Sequence, residues 1–181
     1  LIEEQQVTMF PEGSITGRIM TNAGRSRSRG VELSLSWADR SGWFARASYG
    51  FTDARFTRFN NGRADYSGKR MPYAPSNTLF VGAGYSHKLK GFIDHIEAEI
   101  NTRGTGSIQW DEANTVSQPF YMLLNASIKL SHRHIGLELW ANNITATQYD
   151  TFYFVSIGNA FLQHGNGFSI GATASYRFDF P

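Results

Sequence analysis

An all-β fold, an arc of an antiparallel transmembrane β-barrel, is what this sequence predicts, and three observations predict it. Apolar and polar residues alternate with period two over segments longer than ordinary globular strands. The connections between those segments are short and long in strict alternation. Charged residues keep to the face opposite the apolar set, while aromatics gather at the strand ends beside the short connections.

The elements follow in order. Residues 5–9 read as a broken strand end, 11–13 as a loop, and the stretch up to residue 30 as the upper part of the first full strand. In that strand Val31, Leu33, Leu35 and Trp37 oppose Glu32, Ser34 and Ser36. The second sets Trp43, Ala45, Ala47, Tyr49 and Phe51 against Phe44, Arg46, Ser48, Gly50 and Thr52. Leu79, Val81, Ala83 and Tyr85 then oppose Phe80, Gly82 and Gly84, and Ile96, Ala98 and Ile100 oppose His95, Glu97, Glu99 and Asn101. Met122, Leu124, Ala126, Ile128 and Leu130 oppose Leu123, Asn125, Ser127 and Lys129. Ile135, Leu137, Leu139 and Ala141 oppose Gly136, Glu138, Trp140 and Asn142. The last strand alternates without a break from Phe168 to Phe180. Such a run suits a tilted membrane-crossing strand of roughly 9–11 residues.

Residues 38–42, 87–91 and 132–134 make the short connections; 57–73, 105–118 and 147–166 make the long, polar and aromatic ones. Loops of the second kind are uncommon in a compact domain unless they are functional. Glu32, Arg46, Glu97, Glu99, Lys129, Glu138 and Arg177 all lie opposite the apolar set. A Lys or Arg on the lipid side near mid-membrane would cost roughly 2–4 kcal/mol, so the apolar face is the lipid face. Trp37, Trp43, Tyr85, Phe92, Tyr176 and Phe178 form the interfacial girdle at the short-turn rim.

Composition bounds the function. The 181 residues carry 17 Lys+Arg against 15 Asp+Glu, a net charge of +2, which excludes a strongly basic nucleic-acid binder. Aromatics at 14% and 18 glycines favour β structure. Cysteine is absent, which excludes a disulfide scaffold, a thiolate metal site and a cysteine nucleophile. No apolar run is long enough for a transmembrane helix. The mean hydropathy of −0.34 would suit a soluble protein, but alternation in a barrel hides its apolar half. The sequence opens at Leu1 without a signal peptide, so a preceding segment is expected. Parity agrees. Seven full strands ending on the short-turn side begin on the long-loop side, and a single-chain bacterial barrel has an even strand number. Either residues 5–20 supply an eighth strand or the chain is the C-terminal arc of a larger barrel.

Five motifs carry a family resemblance. Asn22-Ala23-Gly24-Arg25-Ser26-Arg27-Ser28-Arg29-Gly30-Val31-Glu32-Leu33 resembles the N-x-G…G-x-E signature of TonB-dependent outer-membrane receptors. Ser48-Tyr49-Gly50-Phe51-Thr52-Asp53-Ala54 is similar to that family's next strand, and Arg70-Met71-Pro72-Tyr73-Ala74-Pro75 to its R-x-P-x-x-P entry into the following one. Asn142-Asn143-Ile144-Thr145 resembles the element before the last extracellular loop, and Ser175-Tyr176-Arg177-Phe178 the terminal S-Y-R-F. The chain departs from that ending by extending through Asp179-Phe180-Pro181.

The resemblance implies that residues 1–181 are the C-terminal portion of a 22-stranded barrel in the outer membrane of a Gram-negative bacterium. It implies import of a scarce ligand, most often an iron–siderophore complex, with haem, cobalamin or an oligosaccharide as alternatives. Its partners would be outer-membrane lipid and lipopolysaccharide, an extracellular small-molecule ligand, and TonB through an N-terminal segment outside this sequence. The plug domain would likewise lie outside it. Competing expectations are an independent eight-stranded outer-membrane barrel with a structural or adhesive role, and a soluble all-β binding domain.

Candidate ligand contacts are loop and upper-lumen residues: Arg58, Arg63, Tyr66, Arg103, Trp110, Asp111, Tyr149, Tyr153 and His164. Aromatics with arginines suit an anionic, partly aromatic chelate, and suit ordinary loop packing equally. No catalytic, cofactor or metal site is expected. No G-x-S-x-G elbow occurs. Glu97 and Glu99 read as lumen lining, and His95 beside them as part of a hydrogen-bonded lumen network. His132 and His134 read as a solvated turn with no further ligands near. The alternating Arg25, Arg27 and Arg29 point outward at the extracellular rim if the register runs unbroken, where they could pair with lipid phosphates or with a neighbouring strand. A bulge at Gly24 or Gly30 would turn them round.

Overall fold

In a computed structural model, the backbone of residues 2–3, 6–9 and 19–22 is described, and residues 24–62 and 64–178 are described in full. Fourteen strands and no helix are found there: β1 (Ile2–Glu3), β2 (Gln6–Met9), β3 (Ile19–Asn22), β4 (Arg25–Ala38), β5 (Trp43–Arg58), β6 (Asn77–Lys88), β7 (His95–Thr105), β8 (Ile108–Gln109), β9 (Ser117–Gln118), β10 (Tyr121–His132), β11 (Ile135–Asn142), β12 (Asp150–Ser156), β13 (Asn159–His164) and β14 (Ser169–Tyr176). Seven long strands form an antiparallel meander, β4-β5-β6-β7-β10-β11-β14, with β1 on its edge. These are the seven that alternation predicts.

Register explains why one face is apolar throughout. Val31 pairs with Phe51, Leu33 with Tyr49 and Leu35 with Ala47. Ala47 then pairs with Val81, Ala83 with Ile100, Ile100 with Ala126, Ala126 with Ala141, and Ala141 with Ile170. Every predicted apolar row therefore continues across the sheet, because directly opposed residues share a face. Among the described residues no second layer covers it: Val31 is 70% exposed and Ile170 74%. The buried apolar residues among those described are Phe56, Phe59 and Trp110, all at the long-loop end. An apolar face this extended, with its core at neither surface of the sheet, is a wall built for lipid. At the short-turn end Trp43 lies 5.0 Å from Tyr85, and Tyr176 lies 4.7 Å from Phe178 between ring centroids. Phe92 is 82% exposed there. These are girdle positions.

The sheet is open. Among the described residues no pairing joins β14 back to β1 or β4. β2 and β3 pair with each other, and among the described residues neither pairs with β14 to close an independent eight-stranded barrel. The loop predicted at residues 11–13 lies outside the described residues.

β4 reaches Arg25, in line with the reading of the stretch up to residue 30 as its upper part. Two strands differ in extent from their sequence pattern. β5 runs on to Arg58, because beyond Thr52 its apolar residues, Ala54 and Phe56, switch to the other face and the alternation no longer reports strand. β14 covers Ser169–Tyr176, one backbone bond from Arg177 N to His134 O extending it by 2.8 Å contact; Asp179–Pro181 lie outside the described residues. The predicted long connections contain the hairpin β12–β13 and the short pair β8–β9.

Candidate ligand-binding vestibule at the long-loop end

Residues 59–76, 106–120 and 143–168 leave the sheet at one end, opposite the short turns, and local chemistry gives each a fixed shape. In the first, Phe56 and Phe59 are buried with rings 4.8 Å apart, and Tyr66 closes over Phe59 at 5.5 Å. The chain then returns along β5 through Phe56 N–Lys69 O (3.0 Å) and Met71 N–Ala54 O (3.0 Å). Asp65 accepts the Ser67 amide at 2.9 Å. The Ser67 hydroxyl, then that amide, hold its carboxyl below the usual 3.8.

Asp111 organises the second loop. Its Oδ1 accepts the amides of Thr115 (2.8 Å) and Val116 (2.9 Å), and its Oδ2 accepts the Thr115 hydroxyl (2.6 Å). Asn114 sits at φ 57°, a left-handed conformation asparagine tolerates, and clamps the first loop at both backbone polar atoms of one residue. Arg70 N donates to its Oδ1 at 2.8 Å and its Nδ2 donates to Arg70 O at 2.9 Å.

The third loop hangs from Asn143, which is 3% exposed. Its Nδ2 donates to the carbonyls of Thr147 (2.9 Å) and Asn166 (3.1 Å), and its Oδ1 accepts Thr147 N (2.9 Å). One side chain thereby ties the loop's outgoing and returning limbs. Above it β12 and β13 pair, with Asp150 Oδ1 and His164 Nδ1 2.6 Å apart at the hairpin base. Gln118 Oε1 accepts Asp150 N at 2.8 Å, joining the second loop to the third.

Tyr73 joins all three. It stands at φ 62° between Pro72 and Pro75, its amide donates to Gln109 O (2.8 Å) and its hydroxyl to Tyr153 O (2.8 Å). Its ring packs against Trp110 and Phe152, each at 5.5 Å. The loops are therefore one connected body rather than three separate flaps.

Below them a polar ribbon crosses the inner face. Arg46 Nη2 donates to Glu99 Oε2, Asn101 Nδ2 to Glu99 Oε1 (3.1 Å), Asn125 Nδ2 to Asn101 Oδ1 (3.1 Å), and Asn143 N to Asn125 Oδ1 (3.0 Å). Lys129 lies between Glu97 (3.9 Å) and Glu138 (3.8 Å). His95 Nε2 and Ser86 Oγ are 2.9 Å apart. The ribbon ends on the anchor of the third loop, so the wall and the loop share one hydrogen-bonded chain.

The predicted contact residues do not form one cluster. Trp110 and Tyr153 contact Tyr73, Trp110 being buried, while Asp111 is committed to its own loop. Tyr149 and His164 meet at the hairpin base, Tyr149 stacked 4.5 Å from Tyr121 and His164 exposed beside Asp150. Arg58 is exposed at the top of β5, and Tyr66 packs on the Phe56–Phe59 cluster. Arg103 stands lower, on the inner face, 5.9 Å from the Phe80 ring. Arg63 lies outside the described residues. Tyr73, Asn114, Gln118 and Asn143 were not singled out from sequence as site residues. The two prolines around Tyr73 and the Asn142-Asn143 pair were their available signals.

The sequence model for "TonB dependent receptor-like, beta-barrel" matches residues 4–144. The pesticin receptor of Yersinia pestis is 25% identical over 173 residues, which is 93% of this chain and 24% of that receptor. The chain thus spans about a quarter of the length of the curated relatives it matches. In fold it is similar to the ferric yersiniabactin uptake receptor FyuA from Yersinia pestis, with a TM-score of 0.75 and 20% identity over 89% of this chain and 25% of that one. It is also similar to the siderophore receptor PiuA from Acinetobacter baumannii, with a TM-score of 0.67 and 21% identity over 93% of this chain and 23% of that one.

Proposed function

This chain belongs to the TonB-dependent receptor-like β-barrel family of the Gram-negative outer membrane, and on that premise we propose that it is the C-terminal wall and vestibule of a receptor importing an iron–siderophore complex. The ligand enters from the long-loop side and rests against the aromatic and cationic side chains displayed there. A plug domain upstream of this chain then rearranges, driven by TonB engaging an N-terminal segment. The wall stands in outer-membrane lipid, with lipopolysaccharide around its extracellular rim. The residues of this wall bind and position the ligand.

One observation carries the proposal. Three loops are locked into a single body by Tyr73, Asn114, Gln118 and Asn143, directly above a polar inner face and an apolar outer one. A pre-organised vestibule of this kind binds with little ordering cost. The names of the ferric yersiniabactin uptake receptor and the siderophore receptor PiuA support iron chelates over haem, cobalamin or oligosaccharides as the ligand class.

Uptake by intact cells tests it. A strain lacking the full-length receptor should fail to accumulate radio-iron from at least one ferric siderophore, and re-expression should restore uptake only where TonB is active. Restoration of cobalamin, haem or oligosaccharide uptake instead would replace the ligand class. Uptake independent of TonB would overturn the transport reading.

A further inference from the structure

The outward face changes character at its extracellular end. From Ser26↔Phe56 to Ala38↔Phe44 the β4–β5 register is unbroken, and its irregularity lies between Arg25 and Ser26, not at Gly30. Arg27 and Arg29 therefore keep the parity of Val31 and project from the lipid side. Arg55 stands opposite Arg27, and Asp53 opposite Arg29. An isolated antiparallel bridge places Arg70 beside Arg55.

Three arginines from three segments thus form one cross-strand row, Arg27–Arg55–Arg70, above the row of Arg29 and Asp53. Beneath both begins the apolar belt with Val31 and Phe51. Strands about 4.8 Å apart give the row a width of about 10 Å, and about 3.4 Å per residue sets it about 14 Å beyond Val31 along the strand.

Of the four arginines, one is held through its guanidinium and one through its backbone. Arg55 Nε donates to Asp53 Oδ1 at 2.7 Å and its Nη1 to Gly68 O at 3.0 Å, while Asn114 fixes the backbone of Arg70. The other two, Arg27 and Arg29, are exposed and have no ion-pair partner among the described residues. With Asp53 the one carboxylate among the described residues of these two rows, the patch carries an excess of positive charge.

We infer that Arg27, Arg29, Arg55 and Arg70 form a docking patch for the phosphorylated headgroup of an outer-leaflet glycolipid. The inference rests on the reading that the long-loop end is extracellular. Continuity with the belt selects the occupant: acyl chains lie against Val31 and Phe51, so headgroups are what reach this height on this side of the wall. An imported ligand passes along the other face. Guanidinium groups suit the partner, since each can take two phosphate oxygens and stays charged beside a low-dielectric layer. Serines between the arginines keep the opposite face uncharged, so the whole charge points to lipid.

The intact receptor, purified in detergent, would be titrated with diphosphorylated lipid A, with the same lipid stripped of both phosphates, and with inorganic phosphate as competitor. The wild type should bind the phosphorylated lipid at least tenfold more tightly than the stripped one. Arg27→Gln with Arg29→Gln should reduce that preference to within twofold, and Arg27→Lys with Arg29→Lys should retain part of it. Millimolar phosphate should not displace the lipid. No preference in the wild type, full preference in the glutamine variant, or displacement by phosphate alone would each overturn the patch. Ferric-chelate binding by the same preparation separates the two ideas: it should be unchanged in the glutamine variant. Its absence from wild type as well, with lipid preference intact, would count against the uptake reading alone.

Discussion

The Asn143 side-chain amide donates to the carbonyl of Asn166 across 3.1 Å, joining two residues that open and close the last long loop. The same side chain holds both atoms of the Thr147 peptide edge it faces. Its φ of 49° is a conformation asparagine accepts more readily than alanine. Asn143→Ala should therefore leave buried backbone groups unpaired and loosen the loop by about 2–3 kcal/mol. Hydrogen exchange on the intact receptor would show faster exchange across residues 145–166 with the barrel strands unchanged. Unchanged protection there would mean the loop is held by its hairpin alone.

Tyr73 is the joint between the loops. Tyr73→Phe removes one hydrogen bond to Tyr153 O and keeps both ring contacts, whereas Tyr73→Ala removes all three. Ring contacts of this kind contribute about 0.5–1.5 kcal/mol each, so the alanine variant should lose about tenfold or more in ferric-chelate affinity, and phenylalanine less than that. Equal affinities in titrations of both variants would remove Tyr73 from the vestibule's support.

Gly165 leaves room for the Tyr149 ring. A Cβ built there would stand 2.0 Å from the ring, so the ring must leave its stack on Tyr121. Gly165→Ala should weaken chelate binding without changing the unfolding midpoint of the barrel. If Tyr149 is uninvolved, binding by the variant will match wild type.

On the inner face, Arg46→Met leaves the Glu99 carboxylate, 14% exposed, with the amide of Asn101. Losing one charge-assisted partner should cost about 1–2 kcal/mol, at the lower end because the arginine itself is 52% exposed. Urea titration of the folded, gel-shifted form reads this directly. A midpoint identical to wild type would show that water replaces the guanidinium at no cost.

Acid should fray one short turn. The hydroxyl of Ser41, and then the amides of Trp43, Gly42 and Ser41, hold the Asp39 carboxyl below its usual 3.8. A depressed folded value contributes stability above the unfolded value that is lost as pH falls through the folded one. Amide protection at residues 41–43 should accordingly be full near neutrality and decline below the ordinary carboxylate range. Asp39→Ala should show low protection at every pH.

Much of the wall was legible in the sequence because lipid imposes a simple rule: within each of the seven long strands every second residue of the membrane-facing stretch is apolar, and the charges must sit between them. Where that rule lapses, so does the pattern. The extension of β5 through Asp53–Arg58 puts its apolar residues, Ala54 and Phe56, on the opposite face from Phe51, and β12 (Asp150–Ser156) is apolar on consecutive residues, so neither announces a strand. The vestibule was less legible still. Trp110 reads from the sequence as a large aromatic in a loop, yet it is buried, while Asn114 and Gln118 act through backbone atoms of distant residues that no local spacing reveals.

Surface binding in the cold, where import is arrested, tests the central claim most directly. Cells expressing the full receptor would be compared with cells whose receptor lacks the hairpin of residues 150–164, across radio-iron complexes of phenolate, catecholate and hydroxamate siderophores. Saturable binding of at least one complex, lost on removal of the hairpin while the barrel remains in the outer membrane, is the predicted result. Binding that survives removal of the hairpin at full affinity, or no saturable binding of any complex by the intact receptor, would contradict it.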